Sequence, residues 1–201
     1  MTLALIDIES GNLHSVDNAL RAAGASDVVI TADPDVIAKV DRIVLPGVGA
    51  FGACAANLRA VDGLEEALRD AALTRARPFL GICVGMQLLA DTGEEMGEHR
   101  WLGWIPGRVA RLTPTDPTAK VPHMGWNDVQ PVGEHPLIVP GEAYFLHSYA
   151  FTGAHVLATT DHDGPVTAAI GRDTVVGVQF HPEKSQRYGL SLLTRFLEWH
   201  P

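Results

Sequence analysis

The chain has 201 residues, with 15 Lys and Arg against 24 Asp and Glu and a formal net charge of -9 at pH 7; a partner with a phosphate backbone needs clustered cations, so nucleic acid is excluded. Its length suits one domain, residues 1–201, burying roughly 70% of the surface its unfolded form exposes. The two cysteines, Cys54 and Cys83, offer neither a disulfide framework nor metal-ligand spacing, which points to a reducing, cytoplasmic setting. No apolar run reaches the ~18 residues of a membrane span, so a membrane is excluded too, and MTLALIDIESG lacks the basic start of a targeting segment.

In chain order, TLALIDI reads as a first core strand. A helix follows from about Asn12 to Ala23, closed by Gly24, then strand DVVITA, a short helix after Pro34, and strand DRIVLP. One long amphipathic helical stretch carries Leu58, Leu64, Leu68 and Leu73, and leads into strand PFLGI and a helix over Met86 to Ala90. Such alternation predicts a doubly wound α/β fold, a mostly parallel sheet with helices on both faces. After the acidic loop TGEEMGEH and the loop TPTDPTAKVP, the segments RVARL, NDVQPV, AYFLHSYAF, HVLATT, PVTAAIG and TVVGVQF predict a mostly antiparallel second half. The amphipathic YGLSLLTRFLEWH is a closing helix.

Within FLGICVGMQLLA, Cys83 stands where a strand turns directly into a helix, flanked two residues away by Gly81 and Gly85. A sharp turn of this kind lifts its central residue above the carboxyl edge of a parallel sheet, where open α/β folds hold ligands. A helix amino terminus also favours thiolate. Most free cysteines are nevertheless small buried hydrophobes, which is the reading that suits Cys54 among the alanines of GACAANL. For Cys83 the balance is tipped by GVQFHPEKS: a strand delivers His181, Pro182 keeps that residue extended, and Glu183, two positions on, returns to the same side to orient the imidazole. Cys83, His181 and Glu183 then make a nucleophile, a base and an orienting carboxylate.

An oxyanion hole supplies more rate than thiol ionisation can, about 10² to 10³ for each donor. The backbone N–H of Val84 is one donor, and PGVGAFG, around Val48 and Gly49, offers another. GVGAFG also satisfies the glycine pattern of a dinucleotide fingerprint, but the acidic residues at the required distance, Glu65 and Glu66, fall in a helix and Pro46 precedes the glycines, so the oxyanion role is the better fit.

With PGVGAFG, GICVGMQLL, VPHMGWN, YFLHSY and GVQFHPEKS in this order over nearly the whole chain, the sequence resembles the class I glutamine amidotransferases, and within them the glutaminase subunits of imidazole glycerol phosphate synthase. The resemblance implies a Cys83–His181–Glu183 triad that forms a glutamyl thioester and releases ammonia, without metal or organic cofactor. It implies a heterodimer with a separate (βα)8-barrel cyclase subunit, which uses the ammonia to make imidazole glycerol phosphate and AICAR in histidine biosynthesis. Gln87 matches the glutamine-binding position, and His147, Ser148 and Tyr149 the strand that meets the substrate's amino acid end, joined by Gly49. Asn12, Trp126, Tyr144 and Lys184 match the partner-facing surface. Each has an ordinary alternative: a helix cap for Asn12, local polar contacts for Gln87, core packing for Trp126, Tyr144 and the YFLHSY aromatics, a solvated charge for Lys184. DIESGN departs from the family pattern, with Glu9 and Ser10 where an aromatic or small residues more often precede the glycine. The rival functions are the glutaminase subunit of another amidotransferase, a stand-alone thiol hydrolase of γ-glutamyl substrates, and a binding module in which Cys83 is inert.

Overall fold

A computed structural model describes residues 1–95 and 97–201; Met96, within TGEEMGEH, lies outside the described residues. The first half runs β1 (Thr2–Ile6), α1 (Leu13–Ala22), β2 (Asp27–Thr31), α2 (Pro34–Ile37), β3 (Arg42–Gly47), α3 (Phe51–Ala60), α4 (Leu64–Arg69), β4 (Phe79–Cys83) and α5 (Val84–Gln87). The second runs β5 (Thr92–Gly93), β6 (His99–Arg100), β7 (Gly107–Arg111), β8 (His123–Pro131), β9 (Gly141–His147), β10 (Tyr149–Gly153), β11 (Val156–Asp161), β12 (Pro165–Arg172), β13 (Val175–Val178) and α6 (Gln186–Glu198). Among the described residues no helix is long and apolar enough to cross a membrane.

The fold is α/β, with a nine-stranded sheet in the order β2-β1-β3-β4-β13-β12-β11-β8-β9. The first five strands are parallel and the last four extend them antiparallel. Every residue of β3, β4 and β13 is buried, as continuous apolar runs covered on both faces must be. The last strand to form in sequence, β13, inserts beside β4 in parallel register, bringing the end of the chain to the centre of the sheet. The α1 helix buries Val16, Ala19 and Leu20; Asn12 caps it through a 3.3 Å bond from the Ser15 N–H.

Three expectations are corrected. The stretch from Leu58 to Leu73 is not one helix: Gly63, at φ 74°, breaks it into α3 and α4, and a wider π turn over Asp70–Thr74 then buries Ala71 and Ala72 while leaving Leu73 exposed. AYFLHSYAF is two strands that belong to different sheets. The chain leaves β9 at His147 and enters β10, which pairs with β7, β5 and β6 in a separate four-stranded sheet; alternation of period two carries no mark of that change of partner. The helix expected from Met86 begins two residues earlier, at Val84.

Candidate active site

The β4–α5 junction sets the nucleophile. Cys83 has φ 55° and ψ -112°, a conformation that a side-chain-bearing residue adopts only where its surroundings enforce it. The enforcement is steric and depends on the flanking glycines. A Cβ on Gly81 would lie 2.6 Å from the Gly85 carbonyl oxygen, and one on Gly85 would run into the Leu45 carbonyl of β3. Gly47 pairs with Cys83 across β3 and β4, so the glycine turn of residues 46 to 52 starts directly beside the sulfur.

His181 reaches the same point from β13. Its backbone N–H donates to the Tyr144 carbonyl at 2.9 Å, and its carbonyl accepts from Ser185 Oγ at 2.6 Å. Ser185 Oγ in turn accepts from the Tyr144 N–H at 2.9 Å. The imidazole Nδ1 is 2.8 Å from Glu183 Oε1, with both side chains almost wholly buried, which leaves Nε2 for Cys83. Burial alone would lower the His181 pKa, but hydrogen bonds and charge interactions with Cys83 and Glu183 overcome it and raise the value to about 9. At neutral pH the ring is held as an imidazolium.

Cys83 and His181 open into a cleft of about 450 Å³ that Asn12, Val48, Gly49, Val84, Gln87, His147, Ser148, Tyr149 and Lys184 also line, while Glu183 holds the imidazole from outside that lining. The structure therefore collects nearly all the residues singled out from the sequence. Asn12 caps its helix and borders the cleft at once. Trp126 and Tyr144 are not part of it: they are register partners on β8 and β9, with rings edge to face at 6.2 Å, and Trp126 is 48% exposed. In the glycine turn the Val48 carbonyl accepts from Ser10 Oγ at 2.6 Å and from Cys54 Sγ at 3.3 Å. Cys54 is thus core, with burial raising its pKa, and at the same time ties α3 to the turn.

Sequence reasoning missed three contributors. Glu95, part of the acidic loop, lines the cleft and accepts the Phe51 N–H at the start of α3, at 2.6 Å; only its position midway between Gly93 and Gly97 hinted at a turn. Gln179 is completely buried, 3.7 Å from Cys83 Sγ, and its place two residues before His181 on an extended segment was the available signal. His123 stands behind His147, with its Nδ1 3.0 Å from His147 Nε2. Burial lowers the pKa of His123 to about 4 and that of His147 to about 3, so both rings are neutral.

A thiol on a strained strand-to-helix turn, facing an imidazole tied to a carboxylate at the carboxyl edge of a parallel sheet, defines the class of elbow-type thiol hydrolases. The glutamine amidotransferase class-I family profile matches residues 4–198. The chain belongs to that family, and within it to the glutaminase subunits of imidazole glycerol phosphate synthase. It is 59% identical, over all of its length and 97% of the relative's, to imidazole glycerol phosphate synthase subunit HisH of Zymomonas mobilis, and 53% identical to the same subunit of Ruegeria pomeroyi with both chains covered in full. Among solved structures, a glutamine amidotransferase superposes with a TM-score of 0.75 at 20% identity over 98% of each chain. The glutaminase domain of Trypanosoma brucei CTPS with bound acivicin gives 0.66 at 15% identity, over 100% of this chain and 95% of that one. At those identities the structural matches speak for the fold alone.

Proposed function

We propose that the chain acts as a single glutaminase domain that opens the side-chain amide of glutamine at Cys83 and passes the ammonia to a (βα)8-barrel cyclase subunit in a heterodimer. The observation that carries this reading is the convergence of Cys83 and His181 in one cleft, with the buried Glu183 carboxylate bonded to His181 Nδ1. The Cys83 thiolate attacks the carboxamide carbon, forming a C–S bond, and the carbonyl oxygen becomes an oxyanion held by the Val84 N–H and by an N–H of the Val48–Gly49 turn. His181 gives its proton to the departing nitrogen, the C–N bond breaks, and ammonia leaves behind a glutamyl thioester. The neutral imidazole then takes a proton from water as the hydroxyl attacks the thioester carbon; the C–S bond breaks, the sulfur leaves as thiolate beside the regained imidazolium, and glutamate is released.

Gln87, Gly49 and the strand segment His147, Ser148 and Tyr149 shape the pocket for glutamine, and the Glu95 carboxylate at its edge suits the α-ammonium group. Asn12 and Lys184 sit at the cleft mouth, while Trp126 and Tyr144 supply an apolar surface on the neighbouring ladder for the cyclase. Released without an acceptor, ammonia wastes glutamine, so the turn at Val48 and Gly49 is read as a switch completed by the partner and its nucleotide; Gly49, at φ 94°, makes a peptide rotation there inexpensive. Glutamate release is to be measured for the chain alone, with the cyclase, and with the cyclase and its nucleotide. Activity that rises at each addition is expected. Equal activity in all three overturns the switch, and no glutamate in any overturns the glutaminase.

A further inference from the structure

We infer that Gln179 is the neutral hydrogen-bond donor to the Cys83 thiolate, and that Gln87 fixes which end of its amide faces the sulfur. The inference rests on the reading of Cys83 as nucleophile and adds a residue to that chemistry.

Gln179 has no exposure to solvent, so its amide must find partners inside the protein. The parallel register that pairs Ile82 with Val178 runs on by one residue to set Gln179 beside Cys83, on the opposite side from Gly47. Its Nε2 lies 3.7 Å from Cys83 Sγ, and its Oε1 accepts from Gln87 Nε2 at 3.0 Å.

The orientation of both amides follows from one carbonyl. The Tyr149 oxygen can only accept, and Gln87 Nε2 lies 3.0 Å from it, so Gln87 turns its NH2 inward. The second hydrogen of that NH2 points to Gln179, which must answer with oxygen. Only the NH2 of Gln179 is left for the sulfur. The same Tyr149 carbonyl takes the Nδ1–H of His147 at 2.9 Å, which makes His147 Nε2 the acceptor for His123 Nδ1–H. A carbonyl in the segment that meets substrate therefore sets the polarity of the whole network, down to the nucleophile.

For Cys83 the consequence is a choice between two partners. Protonated, the thiol points its hydrogen to the Leu146 carbonyl, 3.9 Å away. Ionised, it is repelled by that oxygen and attracted by the Gln179 N–H. A neutral donor biases the pair toward thiolate and has no proton to lose in the working range. Among the described residues, the other titratable groups around the sulfur are His181 with Glu183, Cys54 from α3, and Glu95, His147, Tyr149 and Lys184 on the cleft wall; the amide acts in addition to them and does not change with pH.

The test is the pH dependence of Cys83 alkylation by iodoacetamide in the full chain, read by mass spectrometry of the Cys83 peptide so that Cys54 does not contribute. Gln179→Met, similar in length and without a donor, is expected to raise the pH midpoint by about one unit, which slows alkylation about tenfold at any pH below both midpoints. Gln179→Glu, an acceptor of the same shape, should raise it further. Gln87→Leu, which frees the Gln179 amide to rotate, should give part of the shift and add little on top of Gln179→Met. A role in packing alone predicts the same midpoint in all variants, with any change confined to melting temperature, and that result overturns the inference. If the Gln179 variants do not fold, NMR of the unaltered chain decides: the Gln179 side-chain NH2 signals must shift with Cys83 ionisation, and signals that stay fixed overturn it. A wild-type Cys83 that resists alkylation at every pH would count against the nucleophile, a different failure from an unchanged midpoint.

Discussion

The parallel part of the sheet, β2-β1-β3-β4-β13, and its antiparallel extension, β12-β11-β8-β9, meet at the cleft with opposite tolerances. In the parallel part backbone lies against backbone, so that a Cβ on Gly81 or Gly85 would meet a main-chain carbonyl, and Cys83 is kept in a conformation it would not choose. In the extension a Cβ on Gly141 or Gly171 would meet the side chains of Tyr188 and Leu157, Gly125 has open space around it, and Met124 and Trp126 face solvent. Reacting atoms need to be held within a fraction of an ångström, and the parallel part does this by close packing on every side. The extension has two other tasks, to orient the substrate strand through hydrogen bonds and to present a surface.

The largest effect is expected where strain and chemistry coincide. Cys83→Ala removes the nucleophile and should lower glutamine hydrolysis at least ~10⁴-fold with the melting temperature little changed; hydrolysis within tenfold of wild type would show that the elbow is not the reacting centre. Gly85→Ala comes next and acts through the fold. Its methyl group would overlap the Leu45 carbonyl, so about 3–5 kcal/mol of stability should be lost. Gly133→Ala, on the loop after β8 with open space around it, should stay within about 0.5 kcal/mol of wild type. Denaturant midpoints for the pair measure the contrast directly, and similar losses in both would break it.

The same contrast explains what could be read in the sequence. Close packing leaves a compositional trace: glycines spaced around Cys83, an unbroken apolar PFLGI, and a proline fixing His181 are all visible in one dimension. Polar contacts between distant strands leave almost none. Gln179 looks like any strand-end amide until β13 is known to pair with β4, and His123 shows no tie to His147 until β8 and β9 are placed in register. The split of AYFLHSYAF was illegible for the same reason, since both strands alternate alike and only their partners differ. Gly63 could have been read as a helix break, but Leu58, Val61 and Leu64 keep a three-residue spacing across it.

Titration separates the two regions again. His181, in the parallel part, has its pKa raised to about 9, above the ~6.5 of an unfolded histidine. Its contribution to stability is complete below ~6.5 and is lost as pH rises through about 9. Glutaminase activity should fall over the same upper range as the imidazolium disappears. His123 and His147, in the extension, have lowered values near 4 and 3. The unfolded chain binds their protons first, so their contribution is present above ~6.5 and declines as pH falls toward 4. Melting temperatures between pH 4.5 and 6.5, a range above most carboxylate titrations, should slope upward with pH in the wild type and less steeply in His123→Gln. Equal slopes would mean that the buried pair is already protonated.

The smallest effect tests the hydrogen-bond polarity of the extension from its outer end. Asn127 Nδ2 donates to His123 Nε2 at 3.1 Å and to the Asp161 carbonyl at 2.7 Å, which keeps the proton of His123 on Nδ1 and so directs the bond on to His147 and the Tyr149 carbonyl. Asn127→Ala removes the first donor and leaves the two rings free to reverse. At about 1 kcal/mol for one such bond, KM for glutamine should rise about fivefold while kcat changes less than twofold, because the sulfur and His181 are held from the other side. Asn127→Asp should do more, since an acceptor facing His123 Nε2 favours the reversed order, in which a bare His147 Nδ1 confronts the Tyr149 oxygen. If both variants lower kcat and leave KM alone, the antiparallel extension positions the reacting atoms after all, and the division of labour between the two parts of the sheet fails.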